Sequence, residues 1–417
     1  MPREDYRGLA LSGASPRALE LYEAALEEYL SFRGAPGTLV ARALEDSPGF
    51  AMGHAFAAYL ALGGRDPAGV SAAREILARS AALPMNARER AHMRAIEALA
   101  AGEIERAGAV HSEILAEHPR DVLALGAAHS GDYVRGDVRT LHRRVARSLG
   151  AWTPDLPGYH SVLAMYAFGL EEAGHYARAE DYARRALEIE PRDVRAHHAM
   201  VHVYEMLGRP EDGIRWAGER AEYWTGDSPA AVHNWWHVAL FNLALGRRAQ
   251  ALAIYDWRIR PHMDRSLSML IDATALLWRF ELLGADTGRR WGELASRWEP
   301  HAADGYCAFS DLHAMMAFAA DGRRESAEVL LGAQQRRAGE GGTNGEMTRL
   351  VGLPASRALR AFGEGRYAEA AERLGGLPQL AHRLGGSRAQ HGIVALTGEE
   401  AVRRAGRPAP EQRLTGT

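Results

Sequence analysis

Two pairs of histidines at four-residue spacing lie in the middle of the chain, in its densest group of chemically active side chains. A glutamate follows the first pair and tryptophans lie inside the second; in chain order the residues are His198, His202, Glu205, His233, Trp235, Trp236 and His237. Residues four apart on a helix share one face, so each pair can act together on a proton, a ligand or a metal ion. Imidazoles beside carboxylates serve acid–base catalysis and also bind metals.

An acid–base site is the first interpretation of this pattern. His202 or His237 would be the base, Glu205 would orient it, and His313 would act opposite them as acid or anion binder. The sequence has no nucleophile-elbow motif and no phosphate-binding loop, and Cys307 lies in no reactive context. An enzyme of this kind would therefore be a lyase, isomerase, cyclase or hydrolase, and its catalytic residues would be His202, Glu205, His237 and His313.

A metal ion is the alternative use of the same side chains. Two histidines one turn apart can share a metal ion, and His198, His202, His233 and His237 together offer four imidazoles. Neither pair has the glutamate between its histidines that marks the known helical zinc motif. We therefore expect a site without a cofactor, and keep a metal ion held by these four histidines as the alternative.

The elements that position these residues follow a repeat of about 34 residues. The offsets of a tetratricopeptide repeat are matched by Leu163, Ala167, Gly174, Tyr176, Ala179, Ala186 and Pro191. Small residues let two antiparallel helices approach, a glycine turns the chain between them, and a proline ends the second helix. No segment has strand-like alternation and content. The prediction is an all-α, right-handed α-solenoid of about nine to ten tetratricopeptide-like helix pairs.

One domain, residues 1–417, is expected to contain the whole array. Irregular repeats would occupy 1–118, the His/Trp-rich pocket repeats 119–335, and C-terminal capping repeats 336–417. Two helix starts have clear signals. Asp66 should cap a helix that begins at Pro67, and Ser228 should cap the His233 helix with Pro229 as its first residue.

The repeat register also predicts which side chains face the concave groove. In such arrays the first helix of each pair lines the groove, and neighbouring helices pack about 8–10 Å apart. The predicted groove residues include both histidine pairs and Glu205, with Phe168, Glu171 and Glu172 from the preceding unit. Trp235 instead falls at a packing position between helices. The ligand-binding residues predicted from this register are His198, His233, Trp236, Trp278 and Glu281.

Several segments resemble the tetratricopeptide repeat protein 38 family. They include the His-Asn-Trp-Trp-His motif at 233–237, and residues 155–159, 165–172, 202–206, 238–241, 277–279, 311–318 and 385–387. The resemblance spans essentially the whole chain and implies an all-helical repeat fold without naming an activity. Within or beside these segments, further ligand-binding candidates are Tyr166, Asp272 and Asp311.

Composition narrows the class of partner. The net charge is -3 with neutral histidines, so there is no basic excess for nucleic acid or an anionic membrane. The single cysteine excludes an internal disulfide and a multi-cysteine zinc site. The chain starts with no apolar signal segment and has no uncharged run of membrane-spanning length, so a cytoplasmic location is expected.

The predicted function is binding of a small molecule or short peptide in a concave groove lined by histidine, tryptophan and glutamate. Such a lining fits a compact, mostly apolar ligand better than an extended polar one. Acid–base catalysis by the groove histidines and glutamates is the alternative. Whether chemistry occurs, and whether the chain forms oligomers, is left open by the sequence.

Overall fold

The structure is a computed structural model that describes residues 3–406. Residues 407–417 of the predicted capping segment lie outside the described residues. By its internal contacts the chain forms two compact units, the first ending at Asp272 and the second beginning at Ala273. The single domain expected for 1–417 stays a prediction, and the two units are described in turn.

The first unit is built from helices joined by short turns. In chain order they are α1 Pro16–Leu30, α2 Pro36–Asp46, α3 Ala51–Leu62, α4 Pro67–Ser80, α5 Ala87–Ala100, α6 Ile104–Glu117, α7 Val122–Val134, α8 Val138–Leu149, α9 Tyr159–Glu172, α10 Tyr176–Ile189, α11 Val194–Met206, α12 Pro210–Glu219, α13 Ala221–Trp224, α14 Ala231–Ala244 and α15 Arg248–Ile254. A π-helical turn, Tyr255–Ile259, and a 3-10 segment, Arg260–Arg265, follow. The unit boundary then falls inside α16, Leu267–Leu282.

The second unit is also built from helices. Its helices are α17 Arg290–Trp298, α18 Ala308–Asp321, α19 Arg324–Ala338, α20 Gly342–Met347, α21 Leu353–Gly363, α22 Tyr367–Leu374, α23 Arg388–His391 and α24 Ile393–Arg404. A π-helical turn, Thr348–Gly352, leads into α21. Segments of 3-10 helix cover Glu299–His301 and Pro378–Leu384.

Strand structure in residues 3–406 is confined to one short pair. The strands β1 Arg3–Glu4 and β2 Ala10–Leu11 are antiparallel, with Arg3 opposite Leu11. The all-α helical repeat fold predicted from the sequence is therefore confirmed, with this small hairpin as an addition. Among the described helices, none combines the length and the apolar character that crossing a lipid bilayer requires.

The repeat used to predict the fold is the helix pair α9 and α10. Gly174 lies between them with a φ of +82°, a left-handed conformation that favours glycine. Ala167 on α9 and Ala179 on α10 are fully buried where the two helices pack. The small residues thus allow the close approach that the repeat pattern predicts.

The two predicted helix starts have different outcomes. The side chain of Asp66 accepts a hydrogen bond from the backbone N–H of Gly69, which confirms Asp66 as the cap of α4. The prediction for Ser228 is wrong, because α14 begins at Ala231. The hydroxyl of Ser228 accepts a hydrogen bond from the backbone N–H of Ala230, in the turn before α14, and donates to the backbone carbonyl of Phe32.

Three first helices of successive pairs form the part of the first unit that matters for function. Helix α11 packs against both α9 and α14. Most side chains of α9 and α11 are buried on every face, and α14 is buried along most of its length. A helix buried all round that also carries histidines and glutamates brings titratable groups into the interior, where they need partners.

Candidate functional site

Four histidines meet where α11 and α14 pack against each other. Helix α11 presents His198 and His202 one turn apart, and α14 presents His233 and His237. The ring centroids of His198 and His202 are 4.4 Å apart, and those of His202 and His237 are 4.5 Å apart. One ring nitrogen from each side chain lies within 4.8 Å of the other three. The structure therefore brings the two pairs together in what we call the four-histidine cluster.

Carboxylates hold the Nδ1 atoms of both histidines on α14. Nδ1 of His237 lies 2.5 Å from Oε2 of Glu205, and Nδ1 of His233 lies 2.8 Å from Oδ1 of Asp272. A carboxylate only accepts hydrogen bonds, so each Nδ1 carries the proton and donates it. In the neutral ring, Nε2 is then left with a lone pair. This is how histidines that bind metals are usually oriented.

The histidines on α11 have different neighbours. Nε2 of His202 lies 2.9 Å from Nε2 of His198, so the two rings can share one proton or one cation. On its other side, Nδ1 of His202 faces Oε2 of Glu171 at 3.3 Å and Oε1 of Glu172 at 3.8 Å. Both glutamates lie at the end of α9, which the repeat register predicted to face the same groove.

Burial sets the charge state of the cluster. It lowers the pKa of His198 well below its ordinary value, and the neighbouring imidazoles lower it further. Burial also lowers the pKa of His202 to about 4, against the opposing effect of nearby carboxylates. For His233, burial acts in the same direction, but Asp272 outweighs it and the pKa is raised. At neutral pH, His198 and His202 are therefore uncharged, which is the state that binds metals.

One side of the cluster is open to solvent. His202 and His237 are fully buried, whereas His198 is only partly buried. The side chains of His233 and Glu205 are 20% and 18% exposed. An ion or a small molecule can therefore approach from the side of His198 and His233.

Aromatic rings support the imidazoles from behind. The indole of Trp236 is fully buried and stacks on His233, with ring centroids 5.2 Å apart and planes 13° apart. Phe168 on α9 stacks in the same way on His198, at 5.4 Å and 22°. Trp235 instead packs on Trp224, in keeping with its predicted place between helices. Stacking restricts ring rotation and so keeps the nitrogen positions defined.

Asp272 and Tyr166 are also predicted ligand-binding residues of the first unit. Asp272 joins the cluster through its contact with His233, whereas Tyr166 lies outside the cluster. Tyr166 packs edge-on against Tyr182 of α10, with centroids 4.7 Å apart. Its hydroxyl accepts a hydrogen bond from Arg178 of the same helix. These contacts tie α9 to α10 within one helix pair.

The predicted site residues of the second unit have their described contacts inside that unit. The indole of Trp278 donates to Thr397 Oγ1 at 2.9 Å, and Glu281 lies 3.6 Å from Arg404. His313 is fully buried, its Nδ1 donates to the Phe309 carbonyl, and burial lowers its pKa to about 4. Asp311 is also buried, which raises its pKa to about 8. The roles predicted for these residues stay predictions.

Sequence reasoning missed most of the pairings between an imidazole and its carboxylate. Glu205 was expected to orient either His202 or His237, and the structure places it against His237 on α14. Asp272 was only a general ligand candidate, and Glu171 and Glu172 were only assigned a direction. A residue spacing shows which groups share a helix face, but contacts between helices depend on the packing of the repeats.

No family model matches the chain. Among solved structures, the chain is similar to the tetratricopeptide repeat domain of P58(IPK), with 16% sequence identity over 93% of this chain and 97% of that one. The TM-score is 0.23, so no structural argument is based on this similarity.

Proposed function

We propose that the chain is a helical repeat metalloprotein whose four-histidine cluster binds a divalent first-row transition metal ion. The observation that carries this proposal is the convergence of four ring nitrogens within 4.8 Å of one another. The rings of His233 and His237 are held by carboxylates that direct Nε2 into the cluster. In a tetrahedral site with metal–nitrogen bonds of about 2 Å, the nitrogens lie about 3.3 Å apart. The pair of His198 and His202, at 2.9 Å, would therefore separate slightly while the more distant nitrogens move closer.

The electrostatics favour a cation over a network of protons. When all four imidazoles are neutral, their lone pairs face one another and repel. A shared proton can satisfy the pair of His198 and His202, but it cannot satisfy four rings. A metal ion would use all four lone pairs, and the nearby carboxylates of Glu205 and Asp272 would offset its charge.

The donor set also limits which metal is bound. Imidazole suits zinc, copper, iron and nickel, whereas calcium and magnesium prefer oxygen ligands. Four neutral nitrogen donors therefore favour a transition metal. We take Zn²⁺ as the probe because it accepts tetrahedral coordination and has no redox chemistry of its own.

A second candidate function, acid–base catalysis, has its own supporting observation. The pair of Glu205 and His237, at 2.5 Å, is the geometry of a carboxylate that orients a general base. Its substrate would be a small molecule or short peptide that reaches the exposed side of His198 and His233. A metal-bound water at the same place would do related chemistry.

We infer membership of the tetratricopeptide repeat protein 38 family from the His-Asn-Trp-Trp-His motif at 233–237 and the further segments quoted with it. In the structure, the residues of this motif have distinct contacts. Its two histidines belong to the cluster, Trp236 stacks on His233, and Trp235 packs between helices.

Metal binding is tested by calorimetric titration of chelator-treated protein with Zn²⁺. We expect the native chain to bind at least one equivalent and the His198→Ala/His237→Ala double variant to lose the tightest equivalent. His175→Ala is the matched control, because His175 is exposed and outside the cluster. Equal Zn²⁺ binding by the native chain and the double variant would refute the proposal.

A further inference from the structure

The imidazole of His202 lies between two different groups of ligand atoms. Its Nε2 side belongs to the four-histidine cluster and lies 2.9 Å from His198. Its Nδ1 side faces the carboxylates of Glu171 and Glu172 at 3.3 and 3.8 Å. Nδ1 and one oxygen from each glutamate lie within 4.8 Å of one another, and all three residues are buried. His202 is thus the one residue common to two compact donor sets.

The contact on the Nδ1 side differs from those of the histidines on α14. Nδ1 of His233 and His237 lie 2.8 and 2.5 Å from their carboxylates. Nδ1 of His202 is buried and makes no hydrogen bond of acceptable geometry within residues 3–406. A separation of 3.3 Å is long for a charge-assisted hydrogen bond. It is close to the distance between two ligands of one metal ion, since each metal–ligand bond is about 2 Å.

The two glutamates also lie where negative charge is unfavourable. Glu171 is fully buried, Glu172 is almost so, and they are adjacent in sequence. They are the last two residues of α9, and the C-terminal end of a helix carries partial negative charge. A cation held between the two carboxylates would lower the cost of burying their charge.

We propose that Glu171, Glu172 and Nδ1 of His202 form a second metal site, and that His202 bridges it to the metal of the four-histidine cluster. This inference rests on the proposed function, because the bridge requires a metal ion at Nε2. When the bridge forms, the Nδ1–H bond of His202 breaks, its proton leaves to solvent, and an Nδ1–metal bond replaces it. No electron transfer is involved.

The mixed donor set indicates a divalent first-row ion. Carboxylate oxygens together with an imidazole nitrogen suit zinc, copper, manganese or iron. Two ions on the opposite nitrogens of one imidazole would lie roughly 6 Å apart, given metal–nitrogen bonds of about 2 Å. The centre would be dinuclear with one bridging histidine.

The competing role for the glutamates is to accept a hydrogen bond from His202 without touching a metal. Stoichiometry separates the two roles. If His202 bridges two metal ions, the native chain should bind two equivalents of Zn²⁺ and the Glu171→Gln/Glu172→Gln variant should bind one. In the hydrogen-bonding role, native chain and variant would each bind one equivalent, with affinity lower by about 10–100-fold in the variant. The second result would overturn the inference and leave the four-histidine site intact.

Two controls complete the titration. Glu188→Gln removes an exposed carboxylate from the neighbouring helix α10 and should still bind two equivalents. A native chain that binds no Zn²⁺ at all would overturn the proposed function as well, so the two failures are distinguishable.

Copper(II) resonance spectroscopy gives a second readout that needs only the native chain. Two copper ions joined by an imidazolate couple magnetically, so the integrated signal should fall when the second equivalent is added. A signal that rises in proportion to two equivalents would show unbridged ions and overturn the inference, even if the glutamine variant failed to fold.

Discussion

At the scale of single residues, the candidate site depends on which nitrogen of each imidazole is fixed by a carboxylate. Glu205 and Asp272 hold Nδ1 of His237 and His233, and this leaves Nε2 of each ring for the cluster. The sequence already contained all of these residues at suitable spacings. It named His202 and His237 as the two histidines that Glu205 could orient, and only the packing of α11 against α14 decides between them.

Replacing Glu205 by glutamine should weaken metal binding without removing it. The amide can still accept a hydrogen bond from Nδ1 of His237, but it lacks the negative charge that strengthens the imidazole as a donor. We expect Zn²⁺ affinity to fall by about 10–100-fold in a competition titration. Glu211→Gln, an exposed change on α12, is the control and should match the native chain. An unchanged affinity in Glu205→Gln would argue against an orienting role for Glu205.

Asp311 allows a test of pH dependence away from the cluster. Burial raises its pKa to about 8, with help from Asp304. The unfolded chain, with an ordinary aspartate pKa near 4, is then ionised over a range in which the folded chain stays protonated. Through Asp311, the free energy of unfolding is therefore highest below about pH 4 and falls as the pH rises towards 8.

Asp311→Asn should abolish that loss, because asparagine does not titrate. Relative to the native chain, the variant should gain on the order of 1 kcal/mol in the free energy of unfolding per pH unit between about pH 5 and 8. Urea unfolding at several pH values measures this difference. A constant difference across the range would contradict a buried, protonated Asp311.

At the scale of helices, the repeat pattern predicted the elements well and the close contacts poorly. The sequence placed the pair α9 and α10, its glycine turn and the capped start of α4, because those features depend on local residue types. The start of α14 was predicted wrongly: it falls three residues after Ser228, whose hydroxyl bonds both to Ala230 and to Phe32, far away in sequence. A local capping signal carries no information about such a partner.

Helix α9 approaches α8 closely at Gly169, which gives a packing prediction. A Cβ atom at this position would lie 2.8 Å from Cα of His142 and 3.0 Å from its backbone nitrogen. Backbone atoms cannot move aside as a flexible side chain can. Gly169→Ala should therefore destabilise the chain by about 1–3 kcal/mol, although alanine is the better helix former.

Gly218→Ala is the matched control for this change. Gly218 is an exposed glycine in α12, and a Cβ atom there meets nothing within 4 Å. We expect this variant to gain about 0.5–1 kcal/mol from helix propensity alone. Thermal unfolding of both variants measures the contrast, and equal effects would mean that α8 and α9 are not in close contact.

An ion pair links α9 to the start of α11. Nδ1 of His160 lies 2.7 Å from Asp193, whose side chain also caps α11, and Nε2 lies 3.5 Å from Glu27. Burial by itself would lower the pKa of His160, but the two carboxylates outweigh it and raise the pKa to about 10. This stabilisation is fully present below the ordinary histidine pKa of about 6.5 and is lost as the pH rises through about 10.

His160→Gln should therefore destabilise the chain more at pH 6 than at pH 10.5. We expect a difference of about 2 kcal/mol between the two conditions, reduced from the full shift because Glu27 is half exposed. The chain contains no lysine, and the other histidines and the tyrosines that titrate between the two pH values are shared by the native chain and the variant. His175→Gln, which changes an exposed histidine, should show no such dependence in urea unfolding.

At the scale of the whole molecule, composition and periodicity were enough to predict an all-α helical repeat fold. The hairpin of β1 and β2 was not foreseen, because strands of two residues are too short for an alternating pattern. The division at Asp272 falls inside α16, where no proline, glycine or change of composition marks a boundary. The charge balance and the single cysteine say nothing about the cluster, because the metal would be held by buried imidazoles.

The central claim is that the four-histidine cluster binds a metal ion, and crystals grown with Zn²⁺ would test it most directly. An anomalous difference map measured at the zinc absorption edge should show a peak about 2 Å from Nε2 of each histidine in the cluster. A map with no peak between α11 and α14, from crystals that contain zinc elsewhere, would contradict the account.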